Sequence, residues 1–258
     1  MKKLFLVLAV ILLSVGAIFP LLNNGFFEFH DNTQVVRVYE MGKALSHGMF
    51  PVRWSQDLGY GYGYPIFNFY SPLPYYIGGF FVLAGFDALL ATKLMFVFGV
   101  LLAGVSMFLF SNKFFGIKAG LVSAVIYMYF PYHAVNIYVR GAVGEFFAYA
   151  FLPLVFLGFY SLIELKKEKN FLVKNFGTML LFAFSVLFIA TSHNLSLYML
   201  LLILLPFFIL SSFLVKARKQ FLIVSVISII LGLALSSFYI IPAFSEMKYT
   251  NVASQVGG

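Results

Sequence analysis

Seven long apolar stretches, separated by short polar turns, decide what this chain can become. They run over residues 4–22, 90–111, 119–135, 146–163, 175–192, 195–214 and 221–241. Each approaches the ~20 residues a helix needs to cross a bilayer, and a helix satisfies its own backbone N–H and C=O groups in lipid. The composition agrees: 62% of residues are hydrophobic, 10% are charged and the mean hydropathy is +0.97, whereas a soluble domain carries roughly 25% charged residues. The expected fold is all-α, a polytopic transmembrane bundle in one domain. There is no cysteine, which excludes disulfides and thiolate metal sites.

A net charge of +8 invites a nucleic-acid reading, but the positions of the charges remove it. Lys2 and Lys3, Lys113 and Lys118, the 166–174 lysines, and Lys216, Arg218 and Lys219 all fall on one side if every apolar stretch crosses. Eleven of the 17 basic residues then share that side with two acids, Glu164 and Glu168. Basic loops stay cytoplasmic, so the expectation is a plasma-membrane protein with a cytoplasmic N-terminus and seven spans. The first stretch is longer than a signal-peptide core and no A-x-A site follows it, so it is expected to remain as an anchor. The chain stops at Gly257-Gly258, just past an outward crossing, and is expected to be the N-terminal part of a longer protein with an outer tail over 242–258.

Residues 23–88 then form one long outer loop. Within it, 73–86 is apolar but too short to cross, and counting it as a span would invert every later loop. It is expected to lie along the interface, where its Tyr75 and Tyr76 suit the headgroup region. Residues 33–46 place Val35, Val38, Tyr39, Gly42 and Leu45 at helical spacing, with Gln34, Arg37, Glu40 and Lys43 elsewhere. That pattern predicts an amphipathic surface helix ended by Gly48. The run from Gly59 to Tyr76 is dense in Gly, Pro, Tyr and Phe, which predicts loop and turn.

Under this topology all four histidines and seven of the nine acids lie on the outer side. Three outer clusters carry the candidate chemistry: Glu28/His30/Asp31, Arg140/Glu145 and His193-Asn194. Structural readings stand beside them. Asp31 can cap the helix that follows, Arg140 and Glu145 can be an ion pair, and His193-Asn194 can be a polar hinge. Trp54, Tyr60 and Tyr62 can be an interfacial aromatic belt.

An N-terminal anchor, a long outer loop opening on an acid, an interfacial helix after a Pro-Leu-Pro element and a basic turn before the third span resemble membrane glycosyltransferases of the GT-C fold. The motifs His30-Asp31, Gly48-x-x-Pro51-x-Arg53-Trp54, Gly59-Tyr60-Gly61-Tyr62-Gly63-Tyr64-Pro65-x-Phe67-x-Phe69-Tyr70 and Pro72-Leu73-x-Tyr75-Tyr76 are closer to prokaryotic membrane proteins called "6-pyruvoyl-tetrahydropterin synthase-related". Gly141-x-x-x-Glu145 and Ser192-His193-Asn194 are similar to that group as well. The pterin name carries no chemistry here, because nothing in the chain offers a three-histidine zinc site in a soluble fold.

The resemblance implies transfer of a sugar from a polyprenyl-phosphate donor on the extracytoplasmic face. In that reading Asp31 is the catalytic carboxylate, with Glu28 as the alternative. Substrate binding falls to His30, Arg53, Trp54, Tyr60, Tyr62, Arg140, Glu145, His193 and Asn194. Arg53 and Arg140 suit phosphate, and the aromatic rings suit a sugar or an isoprenoid path. The loop lacks the Asp-Glu pair of some GT-C members, so the role of a divalent cation stays open. Two other classes compete: a non-catalytic scaffold of envelope assembly, and a transporter. The latter would carry ionisable groups near mid-bilayer, where these spans have almost none.

Overall fold

A computed structural model describes residues 2–26 and 28–251, with side chains from Leu8 onward. The described residues form twelve α-helical segments: α1 (Lys2–Leu13), α2 (Val15–Ile18), α3 (Gln34–Ser46), α4 (Ile66–Phe69), α5 (Leu73–Leu83), α6 (Ala88–Met128), α7 (Pro131–Val135), α8 (Val143–Ile163), α9 (Phe171–Lys174), α10 (Phe176–Ser192), α11 (Asn194–Leu214) and α12 (Arg218–Glu246). By length and apolarity four stretches can cross a membrane: Ala88–Arg140, Val143–Ile163, Asn194–Leu214 and Arg218–Tyr249. Gly116 breaks the first of them. Its φ of 80° and ψ of 177° lie outside helical space, in a region glycine enters without a Cβ clash. Helix α10, at 17 residues, falls just short of the length for a span.

Several boundaries differ from the sequence reading. The stretch expected to cross over 4–22 is divided at Ser14 into α1 and α2 and ends in a 3₁₀ turn at Phe19–Leu22, and α8 begins at Val143 rather than 146. The stretch expected over 119–135 ends as a helix at Met128, because Phe130 is extended before Pro131, as the residue preceding a proline prefers. Helix α12 continues past the expected end at 241 to Glu246. Residues 252–258 of the expected tail lie outside the described residues.

Helices α1, α6, α8, α10 and α12 pack in sequence, each against the next. Small residues set the spacing: Gly158 lies against Phe182, and Ser106 Oγ donates to Ala150 O at 2.7 Å. Close approach at small residues and short polar contacts is how apolar helices associate in lipid. Helix α11 stands at the edge, with only 22% of its apolar window buried.

The ends of the bundle differ in chemistry. At one end Lys113 pairs with Glu164 at 2.6 Å and Gln220 Nε2 donates to Glu168 O at 3.3 Å, so the lysine-rich turns share this basic end. At the other, α3, α4 and α5 cover the bundle, with α5 packed on both α3 and α6. Helix α5 spans 11 residues, about 17 Å at 1.5 Å per residue.

Helix α3 buries Val38 and Gly42 as expected, but its buried face is broader and turned toward Gln34, Glu40 and Met41. Val38 and Met41 are wholly inside, but Tyr39 is 45% exposed and Val36 46%. Gln34 and Glu40, assigned to the polar side, are both buried. Each finds partners far along the chain: Ser55 Oγ donates to Glu40 Oε2 at 2.6 Å, and Tyr75 Oη donates to Gln34 Oε1 at 2.6 Å. Tertiary hydrogen bonds outweigh the local pattern here, because pairing offsets most of the cost of burying a polar group; Glu40 Oε1 is left without a partner among the described residues.

Candidate functional site

The segment leading into α3 runs extended along the chain before α8. His30 N donates to Val139 O at 2.9 Å and Asp31 N donates to Arg140 O at 3.0 Å. The strip they pair with is a π-helical turn, Asn136–Arg140, closed by Gly141 in the left-handed region at φ 65°. Turns of this kind cluster at functional sites. A Cβ at Gly141 would collide with the Phe29 ring, so the two segments approach this closely only over glycine.

Asp31 gathers donors from several elements. Thr33 Oγ1 donates to Oδ1 at 2.7 Å, while Oδ2 accepts from Gln34 Nε2 at 2.8 Å, Arg37 Nη1 at 3.2 Å and Tyr70 Oη at 3.3 Å. Arg37 also lies over the Tyr70 ring at 4.3 Å and donates to Tyr75 Oη at 3.2 Å. Burial pushes the Tyr75 phenol well above its ordinary value, which keeps it a donor to Gln34. The N-cap of α3 is Thr33, with no side-chain cap bond. Asp31 therefore spends its oxygens on side chains rather than on the first turn of the helix.

Arg140 stands on the second wall. Its Nη1 donates to Glu145 Oε2 at 2.7 Å, Asn136 Oδ1 at 2.8 Å and Tyr132 Oη at 3.1 Å; Tyr132 Oη in turn donates to Glu145 Oε1. All of these use one nitrogen, so Nη2 and Nε have no protein partner among the described residues. The third wall is the turn from α10 into α11. His193 Nδ1 accepts from Ser196 N at 3.2 Å and lies 2.8 Å from Ser196 Oγ. Asn194 Nδ2 donates to Tyr239 Oη at 2.8 Å, and the single Tyr239 hydroxyl proton has Phe69 O and Asn194 Oδ1, each at 3.1 Å, as its acceptors. Gly144 brings α8 against this turn, because a Cβ there would come within 2.5 Å of Ser192 O.

These walls enclose a cleft of about 430 Å³ whose lining includes His30, Asp31, Arg140, Glu145, His193 and Asn194. Three clusters far apart in sequence, around residues 30, 140–145 and 193, thus meet at one place. The other sequence candidates do not join them. Glu28 is exposed and outside the lining. Arg53, Trp54, Tyr60 and Tyr62 lie on or beside a small hairpin closed by Ser55 and Tyr64, which exchange backbone hydrogen bonds at 2.9 and 2.8 Å. Tyr60 and Tyr62 stand almost free of the protein on it. Gln34, Arg37, Tyr70, Ser192 and Tyr239 also build the cleft, though none is among the candidate site residues. Tyr70 and Ser192 lie within motifs of the resemblance, but nothing in the spacing points to the other three.

Among the described residues no three His, Cys, Asp or Glu side chains converge on a metal position. Asp31 is also a poor cation ligand, since a guanidinium nitrogen already sits 3.2 Å from Oδ2 and would repel a second cation.

Fold and site together define a helical membrane protein with a polar cleft at one end of its bundle. The chain belongs to the 6-pyruvoyl-tetrahydropterin synthase related domain family of membrane proteins, whose profile matches residues 67–255. The matched segment carries Arg140, Glu145, His193 and Asn194; His30, Asp31 and the residues up to Tyr64 precede it. An uncharacterized protein of Lactococcus lactis subsp. cremoris (strain MG1363) is 23% identical over 248 residues, covering 93% of this chain and 39% of that protein. The chain thus spans about two fifths of that relative's length. No solved structure matches it.

Proposed function

We propose that this chain is a GT-C type membrane glycosyltransferase, moving a sugar from a polyprenyl-phosphate donor to an acceptor hydroxyl in this cleft. The observation that carries the reading is a carboxylate and an open guanidinium edge lining one cavity, Asp31 and Arg140. The acceptor oxygen attacks the anomeric carbon, its proton passes to Asp31, and the bond from that carbon to the phosphate oxygen breaks. The polyprenyl phosphate leaves with its electron pair, and Arg140 Nη2 and Nε match its oxygens bidentately. The Asp31 donors fix one carboxylate rotamer. The prenyl chain has a place beside the site, since Leu195 lines the cleft and the exposed Tyr198, Met199 and Leu202 follow it along α11.

The cleft end is read as extracytoplasmic and the basic end as cytoplasmic, in a plasma membrane crossed seven times. In that arrangement α5 lies in the outer interface, with the Tyr60 hairpin above it. A non-catalytic scaffold of envelope assembly is the competing reading. It is favoured by one observation: both Asp31 oxygens already have protein donors.

Purified full-length protein incubated with a panel of polyprenyl-phosphate sugars and scored for donor consumption tests the proposal. Consumption of at least one donor, lost in Asp31→Asn, is the expected result. A folded protein that consumes none of them points to the scaffold.

A further inference from the structure

His193 caps α11 in an unusual way. Its backbone is extended, with φ −160° and ψ 114°, and the ring rather than a hydroxyl or carboxamide takes up the N–H of Ser196. A backbone N–H only donates, so Nδ1 must offer its lone pair. A neutral imidazole that accepts at Nδ1 carries its proton on Nε2.

We propose that His193 holds a neutral Nε2–H toward the cleft as a fixed hydrogen-bond donor to a ligand oxygen, taking no part as acid or base. Three observations converge on it. Nε2 has no protein partner among the described residues, although His193 lines the cleft. The neighbouring Ser192 hydroxyl, wholly buried on the same turn, has no partner either. Ser192 Oγ is buried and unpaired, where buried polar groups are almost always paired, and the open His193 Nε2 stands on the next residue of the same cleft wall, so a ligand oxygen there has an unused donor to meet. The charge state follows from the surroundings. Burial holds the imidazole below the ordinary histidine range, Arg140 acts in the same direction and Glu145 opposes it. The positive end of α11 adds to burial. Of the titratable groups across the cleft, His30 and Asp31 belong to the opposite wall. The identity of the oxygen, on the sugar or on the phosphate, rests on the transferase reading; the tautomer and the donor role do not.

Asparagine separates this role from simple capping. His193→Asn keeps an acceptor for Ser196 N–H, because Asn is among the best N-caps, and removes the Nε2 donor. Full-length protein in nanodiscs, labelled with ¹⁵N-histidine, gives the tautomer directly, with His193→Asn assigning its two signals. The proposal expects a neutral ring protonated at Nε2, and an Nε2 signal that moves when undecaprenyl-phosphate glucose is added. Bare undecaprenyl phosphate moves it too if the partner is phosphate and leaves it in place if the partner is the sugar. Transfer in His193→Asn should fall roughly 10-fold if the partner is a sugar oxygen and up to about 100-fold if it is a phosphate oxygen, where the hydrogen bond is charge-assisted, with the melting temperature at neutral pH unchanged. A proton on Nδ1, a charged ring at neutral pH, or an Nε2 signal indifferent to both lipids would overturn the proposal. So would full transfer in His193→Asn. If wild type transfers nothing yet the Nε2 signal responds to the lipids, the transferase reading fails and the donor role stands.

Discussion

Gln34 and Gly141 are 107 residues apart in the chain, yet the buried Gln34 amide donates to the Gly141 carbonyl at 2.7 Å. The same Nε2 donates to Asp31 Oδ2 at 2.8 Å, and the amide oxygen accepts from Tyr75. One side chain therefore joins α3, the π-helical turn and α5, and orients the carboxylate at the cleft. Gln34→Ala leaves the buried Tyr75 hydroxyl proton without an acceptor, at a cost of about 1–3 kcal/mol, while the Gly141 carbonyl keeps the Val143 N–H at 2.9 Å. A lowered melting temperature in detergent is expected. An unchanged midpoint would show that water replaces the amide.

Gly141→Ala probes the crossing of the same two segments. Alanine pays for the left-handed φ and drives its Cβ into the Phe29 ring and toward Asp31 O, a combined penalty of roughly 2–4 kcal/mol. Gly25→Ala is the control, since Gly25 also has a positive φ but nothing within 4 Å of an added Cβ. Its loss should be no more than about 1–2 kcal/mol. Equal losses in denaturation of the two variants would remove the close approach as the reason for the glycine.

Orientation in the membrane is open to cysteine labelling, because the chain has no cysteine of its own. Tyr62 and Asp87 flank α5 in sequence and are both exposed. Cysteines at the two positions should react with an impermeant reagent in intact cells, and a cysteine at Lys167 should not. Opposite behaviour of Tyr62→Cys and Asp87→Cys would make α5 a crossing helix. A reactive Lys167→Cys would invert the whole arrangement.

Acid should weaken the turn between α10 and α11. Burial lowers the folded-state value of His193 relative to the unfolded chain, so the unfolded state binds the proton first. Its contribution to stability is complete above the ordinary histidine range and is lost as pH falls through that range toward the folded value. His193→Asn should accordingly show a flatter dependence of melting temperature on pH between neutrality and mild acid. Parallel curves for the two proteins would place the acid sensitivity elsewhere.

Much of the architecture is legible in the chain because lipid enforces it: an apolar run must be a helix, and its length is set by the bilayer. The short run at 73–83 is equally plain, as are the turns at Gly48 and at the 164–174 lysines. Helix α3 is misread for a definite reason. Its buried polar groups, Gln34 and Glu40, are matched by Gly141, Tyr75 and Ser55, and periodicity carries no information about partners so distant. The convergence of His30, Arg140 and His193 is hidden in the same way, since backbone pairing between residues 30–31 and 139–140 is a tertiary event. Arg53, Trp54, Tyr60 and Tyr62 follow Asp31 closely in sequence, but the hairpin carries them outside the cleft lining.

The central claim is that Asp31 takes the acceptor proton, and Asp31→Asn measured for sugar transfer in full-length protein tests it most directly. Asparagine retains an acceptor oxygen for the Thr33 hydroxyl or the Gln34 amide and leaves the helix start intact, but it cannot act as a base at neutral pH. The account predicts a protein that inserts and melts close to wild type while transferring sugar about 10²–10⁴ times more slowly. Transfer at the wild-type rate by a folded Asp31→Asn protein would contradict it and leave Asp31 as a structural tie between α3, Tyr70 and the π-helical turn.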